Sequence, residues 1–291
     1  MPHSLLSLVT AELAAPADPR AAAMAGALAA QYPDASRAVL FYGSCLREKN
    51  LDGLMLDFYL IVSDYRAAYG KRWLAAANRL IPPNVFPFEH NGLIAKYAVL
   101  SEGDFARLNS PAADNVSVWA RFAQPARLLW AADDLARQRA IAAVADAAPT
   151  LLSLARPMAR EQDALSLWRT GFTLTYGAEL RAERKGRSLS IVDANPYRFR
   201  RFGEAALAQG LPPSPEQAAA RWRRLQRRGK WLSVIRLAKA SFTYAGGIDY
   251  LAWKINRHAG TTIQIRPWQR RWPLIGALIL LPRLFRGGAI R

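Results

Sequence analysis

The sequence predicts an α/β domain followed by a mostly helical, strongly basic half, on three observations. Short apolar runs bounded by turn residues alternate with helical stretches up to Trp130, and beyond it the pattern is helical only. Asn91-Gly92 joins two of those runs, a pair that favours the positive backbone angles of a two-residue hairpin turn. Charge is also unevenly divided. Residues 1–150 hold 14 Lys and Arg against 14 Asp and Glu, whereas residues 151–291 hold 26 against 8.

In order, Leu5–Tyr32 reads as an Ala-rich helix broken at Pro16, and Ala38–Tyr42 as a short buried strand. A turn at Gly43-Ser44 leads into a helical segment through Arg47. Leu54–Val62 is apolar but for Asp57, the pattern of a central strand covered on both faces. Asp64 is placed to cap a helix running to Leu80. Val85–Phe88 and Leu93–Leu100 flank the Asn-Gly turn, and Ala126–Trp130 is the last strand-like run. Helices broken at Pro149 and Pro157 then extend from Asp133 to Glu183. Ser190–Phe202 is less regular, and Pro212, Pro213 and Pro215 read as a linker. Glu216–Arg228 and Leu232–Phe242 read as two further helices.

The 291 residues are 52% apolar with a mean hydropathy of −0.05, which fits a folded chain with a core and excludes a disordered one. The single Cys45 excludes an internal disulfide and a cysteine-based zinc site, and His3, His90 and His258 are too scattered for a histidine site. Met1–Ala15 lacks a basic leader and carries Glu12, so a cytoplasmic location is expected. The net charge of +18 lies entirely in the second half, so that half is expected to meet a polyanion.

Gly43-Ser44 after one strand and Asp57 in the next is the arrangement with which polymerase-β-like nucleotidyltransferases build a site. Backbone N–H groups of such a turn cradle phosphates, and the carboxylate holds Mg²⁺ against phosphate oxygens. The plainer reading of Asp57 is a structural ion pair with Arg47 or Lys96. A second acid two residues on is common in such sites; here that position is Tyr59, leaving Asp52, Glu89 and Asp104 as candidates. Lys96 alternates with Ile94 and Ala98, so it shares a face with apolar residues and is either solvent-facing or aimed at phosphates. Arg121, ahead of the last strand, has the fork geometry that clamps a triphosphate, or is a surface charge.

Arg221–Trp231 interleaves cations (Arg224, Arg227, Arg228 and Lys230 among them) with tryptophans. That pattern suits nucleic acid, an anionic membrane surface or a solvated helix face. Trp268, Arg270, Arg271 and Trp272 precede the apolar Leu274–Leu281, and Arg283 and Arg286 follow it. So short an apolar run falls well below the roughly twenty residues needed to span a bilayer. With basic and aromatic flanks it reads as an interfacial membrane-binding helix, the alternative being a helix docked on the core.

With these residues in view, the chain resembles the phosphatidate cytidylyltransferases known from mitochondria as translocator assembly and maintenance proteins. The family's Tyr-Gly-Ser-Gly is matched by Tyr42-Gly43-Ser44, with Cys45 for the last glycine. Met55-Leu56-Asp57-Phe58 and Lys96-Tyr97-Ala98-Val99 match its next two motifs. Ala120-Arg121-Phe122-Ala123-Gln124-Pro125-Ala126 is similar to a fourth, with Ala120 and Gln124 in place of glycine and lysine. Leu174–Arg181, with Glu179 for an aspartate, and Arg236–Gly260, including Lys239, Phe242 and Gly247, complete the likeness over residues 38–260.

The resemblance implies that CTP and phosphatidic acid react to CDP-diacylglycerol and pyrophosphate with Mg²⁺. It assigns the nucleotide to Tyr42, Gly43, Ser44, Lys96 and Arg121, the metal to Asp57, and catalysis to Asp57 and Lys96. Three parts are expected: a nucleotidyltransferase domain over 1–132, a helical basic domain over 133–265, and a membrane-associating segment over 266–291. The protein would work peripherally on the inner face of the cell membrane, against an anionic surface. The alternatives are a nucleotidyltransferase acting on RNA and a catalytically inactive scaffold of the same fold.

Overall fold

The computed structural model describes residues 4–48, 50–178, 191–211, 216–243 and 264–267. Two helices open the chain, because Pro16 separates two capped starts. In α1 (Leu5–Leu13) the Ser4 hydroxyl accepts from the Ser7 N–H at 3.1 Å, and in α2 (Pro19–Ala30) Asp18 caps ahead of Pro19, which has no N–H to lose.

The five strands are β1 (Ser36–Tyr42), β2 (Met55–Val62), β3 (Asn84–His90), β4 (Leu93–Ser101) and β5 (Ala126–Ala131), in the order β3-β4-β2-β1-β5. All neighbours are antiparallel except β2 and β4, which run parallel. Two helices make the crossover between them: α3 (Tyr65–Ala68), capped by Asp64, and α4 (Arg72–Leu80). The single helix expected there is split around Gly70, a weak helix former. The hairpin turn forms at Asn91 and Gly92, whose φ angles of 48° and 75° are those its sequence favours.

Alternation sorts the strands into two faces. Val39, Phe41, Phe58, Leu60, Tyr97 and Val99 pack beneath α2 and α3. Ala38, Leu40, Tyr59, Ile61, Ala98 and Leu100 turn the other way, toward α1 and the helices that follow β5. Asp57 and Lys96 stand on this second face, in register with each other and with Tyr42.

Between β4 and β5 lie α5 (Glu102–Asn109) and α6 (Trp119–Phe122). After β5 come α7 (Asp134–Ala145), α8 (Ala147–Ala155), α9 (Ala164–Tyr176), α10 (Pro196–Ala208) and α11 (Ala218–Thr243). Pro149 does not break a helix. It occupies the first turn of α8, where its missing N–H is not needed, and the break falls at Asp146. The irregular stretch expected to Phe202 gives way to α10 from Pro196, capped by the Asn195 side chain. The two helices expected on either side of Gly229 are one, and a Cβ at Gly229 would fall 2.1 Å from the Ala178 carbonyl oxygen. Only a glycine lets that backbone approach so closely.

The line between residues 132 and 133 falls between β5 and α7, and packing crosses it. One apolar core joins Leu5, Leu8 and Leu13 to Tyr59, Trp119, Trp168, Phe199 and Trp222. Arg198 of α10 fixes the junction with both carboxylate oxygens of Glu12 at 2.8 Å and the Ala123 carbonyl at 2.7 Å. At 8% exposure this guanidinium is out of water, and its bidentate geometry satisfies the charge that burial would otherwise penalise. The helical half therefore roofs the sheet face that carries Asp57.

Candidate functional site

At the end of β1 the chain turns at Gly43 with φ of +96°, a conformation that side chains disfavour. A Cβ there would also meet Asp57 Oδ2 at 3.2 Å, so the turn's backbone lies directly on the carboxylate. Ser44–Arg47 follows as one 3₁₀ turn. Cys45 is buried, and its thiol donates to the Met55 carbonyl at 3.5 Å, tying the turn to the start of β2. Burial, then the nearby Asp57, pushes that thiol's pKa up.

Lys96 Nζ lies 2.8 Å from Asp57 Oδ1, both side chains partly buried. The ion-pair reading of Asp57 is thus realised with Lys96, its parallel-strand register partner. Tyr42 completes the row. Burial, followed by the Asp57 charge, drives its phenol well above the ordinary value, while Arg121 partly offsets this, so the hydroxyl stays protonated. Arg121 sits in α6, donates to the Ser117 carbonyl, and lines the same cavity as Tyr42, Tyr59 and Lys96. The cavity encloses about 150 Å³. Tyr42, Lys96 and Arg121 therefore line one space, whereas Gly43, Ser44 and Asp57 are not among its lining residues, Asp57 being joined to it through Lys96.

Sequence reasoning missed two cations that line it from α11, Arg236 and Lys239. Arg236 donates through Nε and Nη2 to the Pro82 carbonyl at 3.0 and 2.6 Å, and through Nη1 to Ser117 Oγ at 3.0 Å. Lys239 donates to the carbonyls of Ile81 and of Pro83, the latter at 2.8 Å. Burial and the adjacent Arg236 lower the Lys239 pKa to about 7. The available signal was their spacing: three apart on a helix, they share a face.

The acids proposed as partners for Asp57 are placed elsewhere or otherwise engaged. Asp52 pairs with Arg20 at 2.7 Å, and Asp104 accepts from Tyr65 and Arg107. Glu89 is exposed at the far edge strand, and among the described residues no three His, Cys, Asp or Glu side chains gather as a metal group. The donor set fits Mg²⁺ in the sparest way that ion accepts, one carboxylate with the remaining positions left to phosphate oxygens and water.

On the outer side of α11, Arg224, Arg227, Arg228 and Lys230 are exposed, Arg228 with Asp114 at 2.6 Å. The interleaved tryptophans divide. Trp231 is 70% exposed, whereas Trp222 is in the core, its indole N–H bonded to the Leu154 carbonyl at 2.8 Å. Trp268, Arg270, Arg271, Trp272, Arg283 and Arg286, with the apolar run between them and Glu179, lie outside the described residues. No helix among the described residues is long and apolar enough to cross a membrane. Neither a known family model nor a curated protein sequence matches this chain.

Proposed function

We propose that the protein is a nucleotidyltransferase that joins CTP to phosphatidic acid at an anionic membrane surface, releasing pyrophosphate. The observation that carries this reading is the Gly43 turn lying on Asp57, whose ion-pair partner Lys96 lines a cavity together with further cations. A cavity whose charged lining is Lys96, Arg121, Arg236 and Lys239 suits a ligand carrying several negative charges. The exposed cations and Trp231 of α11 support the membrane part, since such side chains favour an anionic headgroup layer.

In this reading the backbone at Gly43-Ser44 receives the triphosphate, and Asp57 Oδ2 faces that turn to hold Mg²⁺ against it. The ion supplies charge neutralisation on the phosphate oxygens. Lys96 orients the Asp57 carboxylate through Oδ1 and adds positive charge beside the α-phosphate. Arg121, held by the Ser117 carbonyl, adds its positive charge to the same cavity. A phosphate oxygen of the lipid attacks the α-phosphorus, its bond to the bridging oxygen breaks, and pyrophosphate leaves with that electron pair. The attacking oxygen is already anionic, so a histidine base is not required.

A catalytically inactive scaffold is the second reading, favoured by Tyr59 at the position of a second carboxylate and by Lys96 on one oxygen of Asp57. Purified protein with labelled CTP, Mg²⁺ and vesicles containing phosphatidic acid separates the two. A labelled lipid-soluble product, absent with Asp57→Ala, supports transfer. Absence of product with CTP and other nucleotides supports the scaffold.

A further inference from the structure

Two of the cavity's arginines come from distant parts of the chain and are held by one residue of the loop 110–118, between α5 and α6. Arg121 of α6 donates through Nη1 to the Ser117 carbonyl, and Arg236 of α11 donates through Nη1 to Ser117 Oγ at 3.0 Å. Ser117 itself lines the cavity and is only 3% exposed. A guanidinium carries donors only, so each needs an acceptor where it is to be held. The carbonyl and hydroxyl of one serine thus keep close together two like charges that repel each other.

The hydroxyl is fixed in its accepting role. Ser117 Oγ donates to Asn115 Oδ1, which also accepts from the Ser117 N–H at 3.1 Å. With its one proton spent there, Oγ presents only lone pairs to Arg236. The Asn115 amide is oriented in turn: its Nδ2 donates to Asp114 Oδ1 at 2.8 Å, and Asp114 Oδ2 accepts from Arg228 at 2.6 Å. Arg221 holds the start of the loop through the Pro111 carbonyl at 2.6 Å. Arg221, Arg228 and Arg236 are spaced seven and eight apart on one side of α11, so that helix fastens the loop at three points. Asn115 and Ser117 are both buried, and a connected network is strongest away from water.

We infer that Ser117, oriented by Asn115, is a positioning residue that sets Arg121 and Arg236 so that their charges act together on one polyphosphate chain. Its part in catalysis rests on the nucleotidyl-transfer reading above; the positioning for a polyphosphate does not. Ser117 acts through the two guanidiniums and not on the reacting atoms. Charge that is placed before the anion arrives needs no rearrangement when it binds. Removing the serine hydroxyl therefore weakens binding while leaving the charge of the cavity unchanged.

Calorimetric titration of the whole protein tests this, with inorganic tripolyphosphate and, separately, CTP with Mg²⁺ as probes, in salt enough to screen the exposed cations of α11. Ser117→Ala is expected to weaken binding roughly tenfold, the scale of one hydrogen bond to a charged group. Asn115→Ala, which removes both bonds that orient Ser117, should weaken it to a similar degree. Ser117→Thr, which keeps a hydroxyl, should restore affinity to within about threefold of wild type. In an Arg236→Met background, adding Ser117→Ala should change affinity by less than about threefold, because the hydroxyl has no guanidinium left to hold. Thermal melts of each variant ensure that folded proteins are compared. CTP binding more tightly than tripolyphosphate identifies a nucleoside triphosphate, and the reverse order an inorganic polyphosphate. Serine-dependent binding without a labelled lipid product from CTP would sink the transfer reading and leave the positioning role standing. No binding of either probe by wild type, full binding by Ser117→Ala, no rescue by Ser117→Thr, or an undiminished loss in the Arg236→Met background overturns it.

Discussion

Lys96 and Lys239 face one cavity under opposite conditions. Lys96 grows from a central strand and lies 2.8 Å from a carboxylate, so the fold itself compensates its charge. Lys239 grows from α11, is half-buried, and donates to two backbone carbonyls beside Arg236. The difference lies in what each ammonium meets: a carboxylate held in strand register, or backbone carbonyls reached from a helix face.

The strongest test of the first arrangement is Asp57→Ala. It removes the carboxylate on which the Gly43 turn lies and the ion-pair partner of Lys96. Turnover of CTP is expected to fall by about a thousandfold or more, the scale of losing a principal electrostatic group. Unfolding should show a loss of order 1–3 kcal/mol for the half-buried lysine left behind. If turnover persists, the Asp57–Lys96 pair is structural only.

Lys239 makes a prediction about pH. Its folded pKa, about 7, lies below the ordinary lysine value of 10.5, so between those limits the unfolded chain binds more protons than the folded one. Where that holds, stability rises with pH. The thermal midpoint should therefore climb from about pH 7 toward pH 10 after subtraction of the Lys239→Met curve, and be flat with respect to this group below pH 7. A flat difference curve would mean that burial beside Arg236 does not lower the Lys239 pKa in the folded protein.

The two lysines and their surroundings were not equally legible in the sequence. Gly43-Ser44, Asp57 and the Asn91-Gly92 turn are local signals, each set by one or two residues, and the strands followed from short apolar runs bounded by turn residues. That Lys96 is the partner of Asp57 depends on a parallel register across a crossover, so sequence offered it only as one of two choices. Arg236 and Lys239 went unnoticed as site residues because the partners that place them lie 119 to 158 positions away. Gly229 misled for a related reason: its propensity argues for a break, and only the proximity of Ala178 shows what a glycine there allows. The core that joins Leu8 to Trp222 is likewise a product of long-range packing that no local pattern announces.

Gly43→Ala sharpens the comparison from the side of Asp57. The new Cβ would take a backbone at φ of +96° into strain and crowd Asp57 Oδ2 at 3.2 Å. A cost of order 1–3 kcal/mol is expected from the conformation alone. If the turn relaxes to avoid it, CTP affinity should fall roughly tenfold. An unchanged CTP titration would mean that the turn does not receive the nucleotide.

The smallest expected effect lies outside the cavity, on the exposed face of α11. Arg224, Arg227 and Lys230 are exposed, so replacing any one by Gln should leave the thermal midpoint nearly unchanged, within about 0.5 kcal/mol. Binding to vesicles rich in anionic lipid should weaken by about 1 kcal/mol for each charge removed, close to fivefold, and the loss should shrink as salt rises. Turnover of a dispersed short-chain phosphatidate should be unaffected by the same changes, because these side chains do not line the cavity. Separating the two readouts distinguishes cations that bring the protein to a surface from Arg236 and Lys239, which face its interior. If Arg224→Gln reduced turnover of the dispersed substrate as much as Lys239→Gln, the outer face and the cavity would be one continuous anion path, and the contrast between the two lysines would lose its meaning.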